Sequence, residues 1–206
     1  MKKLYYLLLC SLHSFSAFAQ EADTLYYSGG ELKAFGQMVN GEREGQWKFF
    51  YPDGTLSGVE QNQQGELEGE VLRYGFEGEL ISREHYKEDL LQDSSFYYHS
   101  NGQLHRKGRY EEGLYEGVWV SYNEMGVLVQ KGDYIEGFPA GEWFFYYENG
   151  KLHQHGHFIG GKENGEWRYY DKKGRLEYSG YWKKGERVGT WYIYNKRGKR
   201  KIFEEY

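Results

Sequence analysis

Three histidines alternate within one short stretch of the chain, at His153, His155 and His157. Alternate residues of a β-strand point to the same side of a sheet, so the three imidazoles are expected to share one face. Imidazole nitrogens ligate Zn²⁺ and Cu²⁺, which makes this set a candidate metal site. However, one strand rarely supplies a complete set of ligands, and polar residues on the solvated side of a hairpin explain the pattern more simply. We therefore predict no bound metal and no cofactor.

Carboxylates are abundant, including Glu84 and the pairs Glu111-Glu112 and Glu204-Glu205. A glycosidase needs two carboxylates that face one cleft at a fixed separation, whereas these are expected in turns or at the edges of the repeating units described below. The sequence also lacks a Gly-x-Ser-x-Gly motif, a phosphate-binding loop and a His-Glu-x-x-His motif. We predict no catalytic residue, and a protein that is not an enzyme.

The first 19 residues have the pattern of a signal peptide. Lys2 and Lys3 precede a mostly apolar run over residues 4–18, and Ala17-Phe18-Ala19 matches the small-x-small cleavage pattern. Cleavage after Ala19 would send residues 20–206 to the periplasm, the outer envelope or the outside of the cell. Cys10 is the only cysteine and lies in this leader, so no disulfide is expected in the exported chain.

The charge of the chain argues against an anionic partner. The sequence has 26 basic and 31 acidic residues, and loss of Lys2 and Lys3 with the leader leaves 24 basic residues. The resulting excess of negative charge disfavours nucleic acid or an anionic lipid bilayer as the main partner.

The rest of the chain is a repeat of 24 residues without insertions or deletions. A glycine recurs at this period from Gly30 to Gly198, usually with a leucine two residues later and an aromatic residue four residues earlier. The glycine column is Gly30, Gly54, Gly78, Gly102, Gly126, Gly150, Gly174 and Gly198. A second column contains tryptophan in five units, Trp47, Trp119, Trp143, Trp167 and Trp191. Units starting at residues 21, 45, 69, 93, 117, 141, 165 and 189 fill residues 21–206, so one array is expected over residues 20–206, after the leader.

Each unit has the pattern of a β-hairpin. Turns such as Asn101-Gly102 and Asn149-Gly150 separate aromatic and leucine-containing strands, because glycine tolerates the positive φ that tight turns require. The predicted fold is all-β, an elongated antiparallel β-meander of about sixteen strands and roughly 75 Å. Gly-x-x-x-Gly segments such as residues 137–141 are interpreted as the turns between units. At 89–93 aspartates replace both glycines, and this junction is expected to be the least regular.

Aromatic residues are the main candidates for binding. The tryptophan column and the tyrosine column lie three residues apart, so both faces of the sheet are expected to carry rings unless a bulge intervenes. Rings in these columns are interpreted as packing between units. Four rings outside them, Tyr115, Phe138, Tyr147 and Tyr178, are predicted to be exposed and to bind a partner, since tyrosine offers rigid amphipathic contact area.

The repeat resembles the MORN repeat, in the variant grouped with YwqK-type proteins. One unit shows the pattern in Gly117-Val118-Trp119, Gly126-Val127-Leu128, Gly132-Asp133-Tyr134 and residues 137–141. The resemblance implies an elongated all-β scaffold used for protein contacts and sometimes for membrane association. YwqK-like proteins are often labelled antitoxins, which would imply neutralisation of a partner protein.

The leading functional hypothesis is therefore a secreted or envelope-associated scaffold, without catalysis, that binds another protein. The alternative is a cell-wall or polysaccharide-binding module, because Tyr146-Tyr147, Tyr169-Tyr170 and Trp191-Tyr192 are similar to aromatic strings that stack on sugars. Membrane-surface binding requires basic patches, and the one dense basic run, residues 196–201, is interpreted as a solvated cap on the last sheet edge.

Overall fold

Short half-buried strands separated by glycine turns build the whole of the described chain. The computed structural model describes residues 22–206, which form nineteen antiparallel strands in one open sheet. The predicted all-β meander of tandem hairpins is confirmed. The predicted signal peptide and Cys10 lie outside the described residues. Between Ala22 and Tyr206 the structure contains no helix with the length and apolarity of a membrane span.

The strands follow one another in the sheet in the order of the sequence, and neighbours pair, except that β4, β7 and β14 each pair with the two strands that follow them. They are β1 (Ala22–Tyr26), β2 (Leu32–Val39), β3 (Glu42–Phe50), β4 (Leu56–Gln63), β5 (Glu66–Leu67), β6 (Gly69–Tyr74), β7 (Leu80–Lys87), β8 (Leu90–Leu91), β9 (Asp93–Tyr98), β10 (Leu104–Glu111), β11 (Leu114–Tyr122), β12 (Leu128–Ile135), β13 (Phe138–Tyr146), β14 (Leu152–Ile159), β15 (Lys162–Glu163), β16 (Gly165–Tyr170), β17 (Leu176–Lys183), β18 (Glu186–Tyr194) and β19 (Arg200–Glu205). The two-residue strands β5, β8 and β15 each continue into the next strand after one residue. When each of these short strands is counted together with the strand that continues it, the sheet has the sixteen strands that the repeat predicts.

The turn within each unit is the predicted glycine turn. In the second unit, the Gly54 N–H donates to the Tyr51 carbonyl at 2.9 Å, and the Tyr51 N–H donates to the Thr55 carbonyl at 2.8 Å. Gly54 has a φ of +89° and is therefore the left-handed residue that closes a three-residue hairpin loop. The other units close in the same way.

The connection between units is shorter than predicted. The chain reverses in two residues, such as Glu136 and Gly137, whose φ angles of +49° and +81° are both positive, as a type I′ turn requires. The second glycine of the motif, Gly141, lies inside β13 at a φ of +66°. There the register shifts between Lys131 and Asp133 of β12, so Gly141 belongs to a β-bulge and not to a loop.

The junction at residues 88–93 keeps this geometry, so the expectation that it is the least regular was wrong. Glu88, Asp89 and Asp93 take φ angles of +50°, +63° and +58°. Aspartate is among the few residues that enter the left-handed region at modest cost. The Asp89 carboxylate also accepts a hydrogen bond from the Leu67 N–H at 2.7 Å, which a glycine cannot do.

The core is a row of tryptophans on one face of the sheet, called here the tryptophan face. Trp47, Trp119, Trp143, Trp167 and Trp191 are only 1–5% exposed. Each indole lies over a glycine of the preceding strand so closely that a Cβ there would overlap the ring. These glycines are Gly36, Gly108, Gly132, Gly156 and Gly180. Four of the five indole N–H groups donate to backbone carbonyls, as Trp143 does to Asp133 at 3.1 Å.

Two units replace both members of this pair together. Val71 and Ser95 occupy the tryptophan position, and Glu60 and Glu84 occupy the corresponding glycine position. The Glu60 carboxylate is buried and lies 2.7 Å from the guanidinium of Arg73. A side chain is therefore accommodated at the glycine position where no indole covers it.

The opposite face also carries rings, as expected from the spacing of the columns. Phe50 stacks on Phe35 there, with ring centroids 5.7 Å apart. Phe35 is paired with Lys48, the neighbour of Trp47 in β3, and therefore points away from the tryptophan face.

Candidate aromatic binding cleft

A cleft of about 290 Å³ opens near the C-terminal end of the sheet. It is formed by residues of β14, β16, β17, β18 and β19 and by Tyr147, which directly follows β13. The lining residues are Tyr147, His153, Tyr169, Tyr170, Glu177, Tyr178, Arg187, Trp191 and Phe203. Six of these nine side chains are tyrosine, tryptophan or phenylalanine, so the cleft presents mainly ring surface.

Strand register brings together rings that are far apart in the sequence. Tyr169 lies opposite Tyr178 in the β16–β17 pair, and Tyr178 lies opposite Ile193 in β18. The Tyr169 ring is 5.9 Å from that of the buried Trp191. Phe203 of the last strand meets Tyr178 edge to face, with centroids 5.2 Å apart. These distances are typical of favourable aromatic pairs, so the neighbouring strands hold the rings in place.

Tyr147 is held by a hydrogen bond between units. Its hydroxyl donates to the Tyr170 carbonyl at 2.7 Å, and its ring packs 4.3 Å from that of His153. Tyr27 and Tyr51 make the same bond to the equivalent carbonyls of Phe50 and Tyr74. The bond is thus a property of the repeat, and it leaves a ring of fixed orientation at the mouth of the cleft.

Polar groups in the cleft are a carboxylate, a guanidinium and phenols. The Arg187 guanidinium lies 4.5 Å from the Trp191 ring and donates to the Tyr206 hydroxyl at 2.8 Å. Burial raises the pKa of Tyr169 and, with the nearby Glu177 carboxylate, that of Tyr147. Both phenols are therefore neutral hydrogen-bonding groups at physiological pH. Such a surface can stack on flat apolar groups and hydrogen-bond to their polar edges.

The lining offers no pair of catalytic carboxylates. Of the residues between 22 and 206 that form the cleft, Glu177 is the single acidic one, whereas glycoside hydrolysis requires two.

Only two of the four predicted partner-binding residues meet in the cleft. Tyr147 and Tyr178 line it, and both are half-buried rather than fully exposed. Phe138 is 60% exposed, as predicted, but lies at the turn edge of the sheet on the opposite face.

Tyr115 was predicted to be exposed, but like Tyr147 and Tyr178 it is half-buried. Its ring stacks on Tyr134 at 4.9 Å and packs edge to face on Trp119 at 4.6 Å. Its hydroxyl accepts a hydrogen bond from Arg106 at 3.2 Å. The two-residue turn before β11 pairs Tyr115 with Tyr110, and Tyr115 lies four residues before Trp119, so strand alternation places both paired rings on the tryptophan face.

Tyr169 and Trp191 were noted for binding only in the aromatic strings of the glycan alternative, and Phe203 was missed. Trp191 was assigned to packing because it stands in the tryptophan column.

The three alternating histidines do not form a cluster of ligands. His153 packs on Tyr147, and His155 stacks on Phe144 with an interplanar angle of 7°. His155 is also opposite Arg168 in the next strand, a cation that would repel a metal ion. Within residues 22–206, no group of three histidine, cysteine or acidic side chains is placed to hold a metal.

Comparison with known proteins identifies the repeat type. Residues 43–61 and 140–159 match the family model described as "MORN repeat variant". MORN repeats are commonly modules for interaction with proteins or membranes, and proteins built from them are generally scaffolds without catalysis. No curated protein matches the sequence.

Solved structures show only distant similarity. A chain in the crystal structure of TcdB2-TccC3-Cdc42 is 12% identical with a TM-score of 0.20, and one in TcdB2-TccC3-TEV is 12% identical with a TM-score of 0.18. The matches cover 88% and 87% of this chain, which spans only 14% and 13% of those chains. A protein of unknown function from Bacteroides fragilis NCTC 9343 is 9% identical over 90% of this chain and 91% of its own, with a TM-score of 0.12. Similarity at this level carries no argument about function.

Proposed function

We propose that this chain is an exported scaffold, without catalysis, that binds another protein on its tryptophan face, with the aromatic cleft as the main contact. The observation that carries the proposal is the cleft itself. Its rings are fixed by strand register and by the Tyr147–Tyr170 bond, and all of them except the buried Trp191 are half-buried or exposed. Rigid aromatic side chains at the centre of an interface supply much of the binding energy in protein complexes.

A second recess on the same face supports an extended contact. It has a volume of about 100 Å³ and is lined by Arg106, Tyr115, Trp119, Ser121, Gln130, Tyr134 and Trp143. Two recesses on one sheet face suit side chains that project from a single partner better than one compact ligand. Neutralisation of a toxin, implied by the resemblance to YwqK-type proteins, would be one form of such binding.

Glycan binding is the second candidate, and the cleft supplies a specific reason for it. Tyr147 and Tyr178 offer ring faces next to hydrogen-bonding groups, Glu177 and Arg187, which is the combination that a sugar ring requires. Protein binding predicts a polypeptide in contact with the cleft, whereas glycan binding predicts a polysaccharide there.

The test is site-specific photo-crosslinking in the native cell. p-Benzoylphenylalanine replaces Tyr178 in the full chain, and a control chain carries it at Met125, which is 72% exposed in a turn outside the cleft. The proposal predicts a discrete protein adduct from position 178 that position 125 does not give. An adduct that sediments with cell-wall material and is released by glycan-degrading enzymes would support the second candidate. Identical capture at both positions, or none at 178, contradicts use of the cleft.

A further inference from the structure

A row of exposed apolar side chains runs along the edge of the sheet where the units connect. It consists of Leu90, Leu114 and Phe138, which are 24 residues apart, with Ile135 and Ile159 beside them; we call these five residues the apolar strip. They are 49%, 49%, 60%, 59% and 59% exposed. Ile135 is paired directly with Phe138 across a type I′ turn. The strip lies on the face opposite the tryptophan row, because the chain neighbour Tyr134 packs on Trp143.

The three side chains at the 24-residue spacing are supported by the next turn in the array. Leu90, Leu114 and Phe138 lie over Gly113, Gly137 and Gly161, 3.7, 3.5 and 3.4 Å from where a Cβ of each glycine would be. The exposed side chains of consecutive turns therefore form one continuous row.

The apolar character is limited to the middle of the array. The same position holds Glu42 and Glu66 before the strip, and Lys162 and Glu186 after it. A soluble protein seldom exposes a contiguous apolar row of this kind unless the row is an interaction site.

A row of carboxylates runs beside the strip. Glu88, Glu112 and Glu136 occupy the first position of the same three turns. Their backbone N–H groups donate to side chains of the preceding unit, and two of the acceptors, Glu68 and Glu116, are themselves acidic. Lys87, paired with Leu90, places one basic residue at the end of the row.

We propose that the apolar strip binds one basic amphipathic α-helix of a partner protein. Successive units are two strand spacings apart, about 9.6 Å, and residues seven apart on a helix are separated by about 10.5 Å. One face of a helix lying across the strands would therefore meet Leu90, Leu114 and Phe138 in turn. Lysine or arginine residues flanking that face would lie against the Glu88, Glu112 and Glu136 row.

The charge of the row argues against two other occupants. Anionic lipid would be repelled by the glutamates, and a second copy of this chain docked through the same strip would oppose glutamates to glutamates. The inference rests on the proposed function in that the partner is a protein, but it uses a surface separate from the aromatic cleft.

The test uses a synthetic 18-residue peptide with leucine on one helical face and lysine elsewhere, carrying a fluorophore for anisotropy. A second peptide has glutamate in place of every lysine. Residues 20–206 are expected to bind the lysine peptide at least tenfold more tightly than the glutamate peptide. The double variant Leu114→Gln, Phe138→Gln is expected to bind the lysine peptide at least tenfold more weakly, whereas Met125→Gln, a change at an exposed residue outside the strip, leaves binding unchanged.

Charge reversal separates the proposal from general attraction to an acidic protein. Glu112→Lys with Glu136→Lys is expected to reverse the preference toward the glutamate peptide. Lysine is compatible with this turn, because Lys184 occupies the equivalent position with a φ of +54°. Circular dichroism confirms that each variant is folded.

Equal binding of the two peptides by the wild type, or undiminished binding by the double glutamine variant, would overturn the inference. Self-association or vesicle binding that the double glutamine variant abolishes would overturn it in favour of a second copy or a lipid surface. Tyr178→Ala is expected to leave peptide binding unchanged. Failure of the cleft proposal and failure of this inference are therefore distinguishable.

Discussion

The pairing of tryptophan with glycine leads to a test of what stabilises the sheet. Gly132 lies under the Trp143 indole, and a Cβ there would overlap the ring. Its φ lies outside the positive region, so alanine is not excluded by the backbone. We expect Gly132→Ala to destabilise the fold, because the ring must move away from its packed position and lose its contacts.

The size of the effect follows from two opposing contributions. Forcing an extra methyl group into a packed core costs about 1–3 kcal/mol. Replacing glycine by alanine in a strand gains roughly 0.5–1 kcal/mol from the lower entropy of the unfolded chain. The net loss for Gly132→Ala is therefore about 0–2.5 kcal/mol, with a central value of roughly 1 kcal/mol. In a Trp143→Val background the overlap is gone, and the same substitution is expected to be neutral or slightly stabilising.

The assay is a double-mutant cycle, with urea unfolding followed by far-ultraviolet circular dichroism. Hydrogen exchange of peptides covering β12 and β13 adds a local measure, because repeat arrays can unfold in segments. The expected coupling between Gly132→Ala and Trp143→Val is about 2 kcal/mol. The chain itself carries the paired replacement at Glu60 with Val71. Additive effects of the two substitutions would show that the indole does not restrict the glycine position, and the reasoning would be wrong.

Three further outcomes are expected. Tyr147→Phe removes the bond to the Tyr170 carbonyl and should lower the free energy of unfolding by about 0.5–1.5 kcal/mol in urea titrations. Tyr146→Phe should have little effect, because the Tyr146 hydroxyl makes no hydrogen bond to another residue between 22 and 206. Hydrogen bonds from the Arg175 side chain, and from the backbone N–H groups of Arg175 and Lys173, lower the pKa of Asp171 to about 2. The stabilising contribution of ionised Asp171 is therefore present above its unfolded pKa of about 4 and is lost as the pH falls toward 2. Asp171→Asn should flatten this part of a plot of unfolding midpoint against pH. An unchanged slope would contradict the assignment. Chain exported by a bacterial host should begin at Gln20 when sequenced from its N-terminus, and retention of Met1 would contradict the predicted leader.

The repeat was readable from the sequence because its local chemistry is strong. Glycine at a fixed position of each unit marks a turn with positive φ, and Asn149-Gly150 or Asp53-Gly54 is a hairpin signal by itself. The aromatic columns indicated contact between neighbouring units. The number of strands followed from the number of 24-residue units, because each unit supplies two strands.

The candidate sites were only partly predictable. Tyr147 and Tyr178 were chosen because they lie outside the aromatic columns, and both line the cleft. Tyr115 was chosen for the same reason and is packed against Trp119. Phe138 was identified as exposed, but the sequence did not show that Leu90 and Leu114 form a row with it, because their proximity depends on where the turns between units fall.

The sequence by itself determined the period, the hairpins and the all-β class, since each depends on the conformational preferences of residues close together in the chain. The tertiary structure decided which face each ring occupies. The bulge next to Tyr122, where one step along β11 matches two steps along β12, shifts the pairing by one residue, and side chains of a strand alternate with a period of two. A shift of one residue therefore moves every following ring to the other face, and only the register of the assembled strands selects between the two.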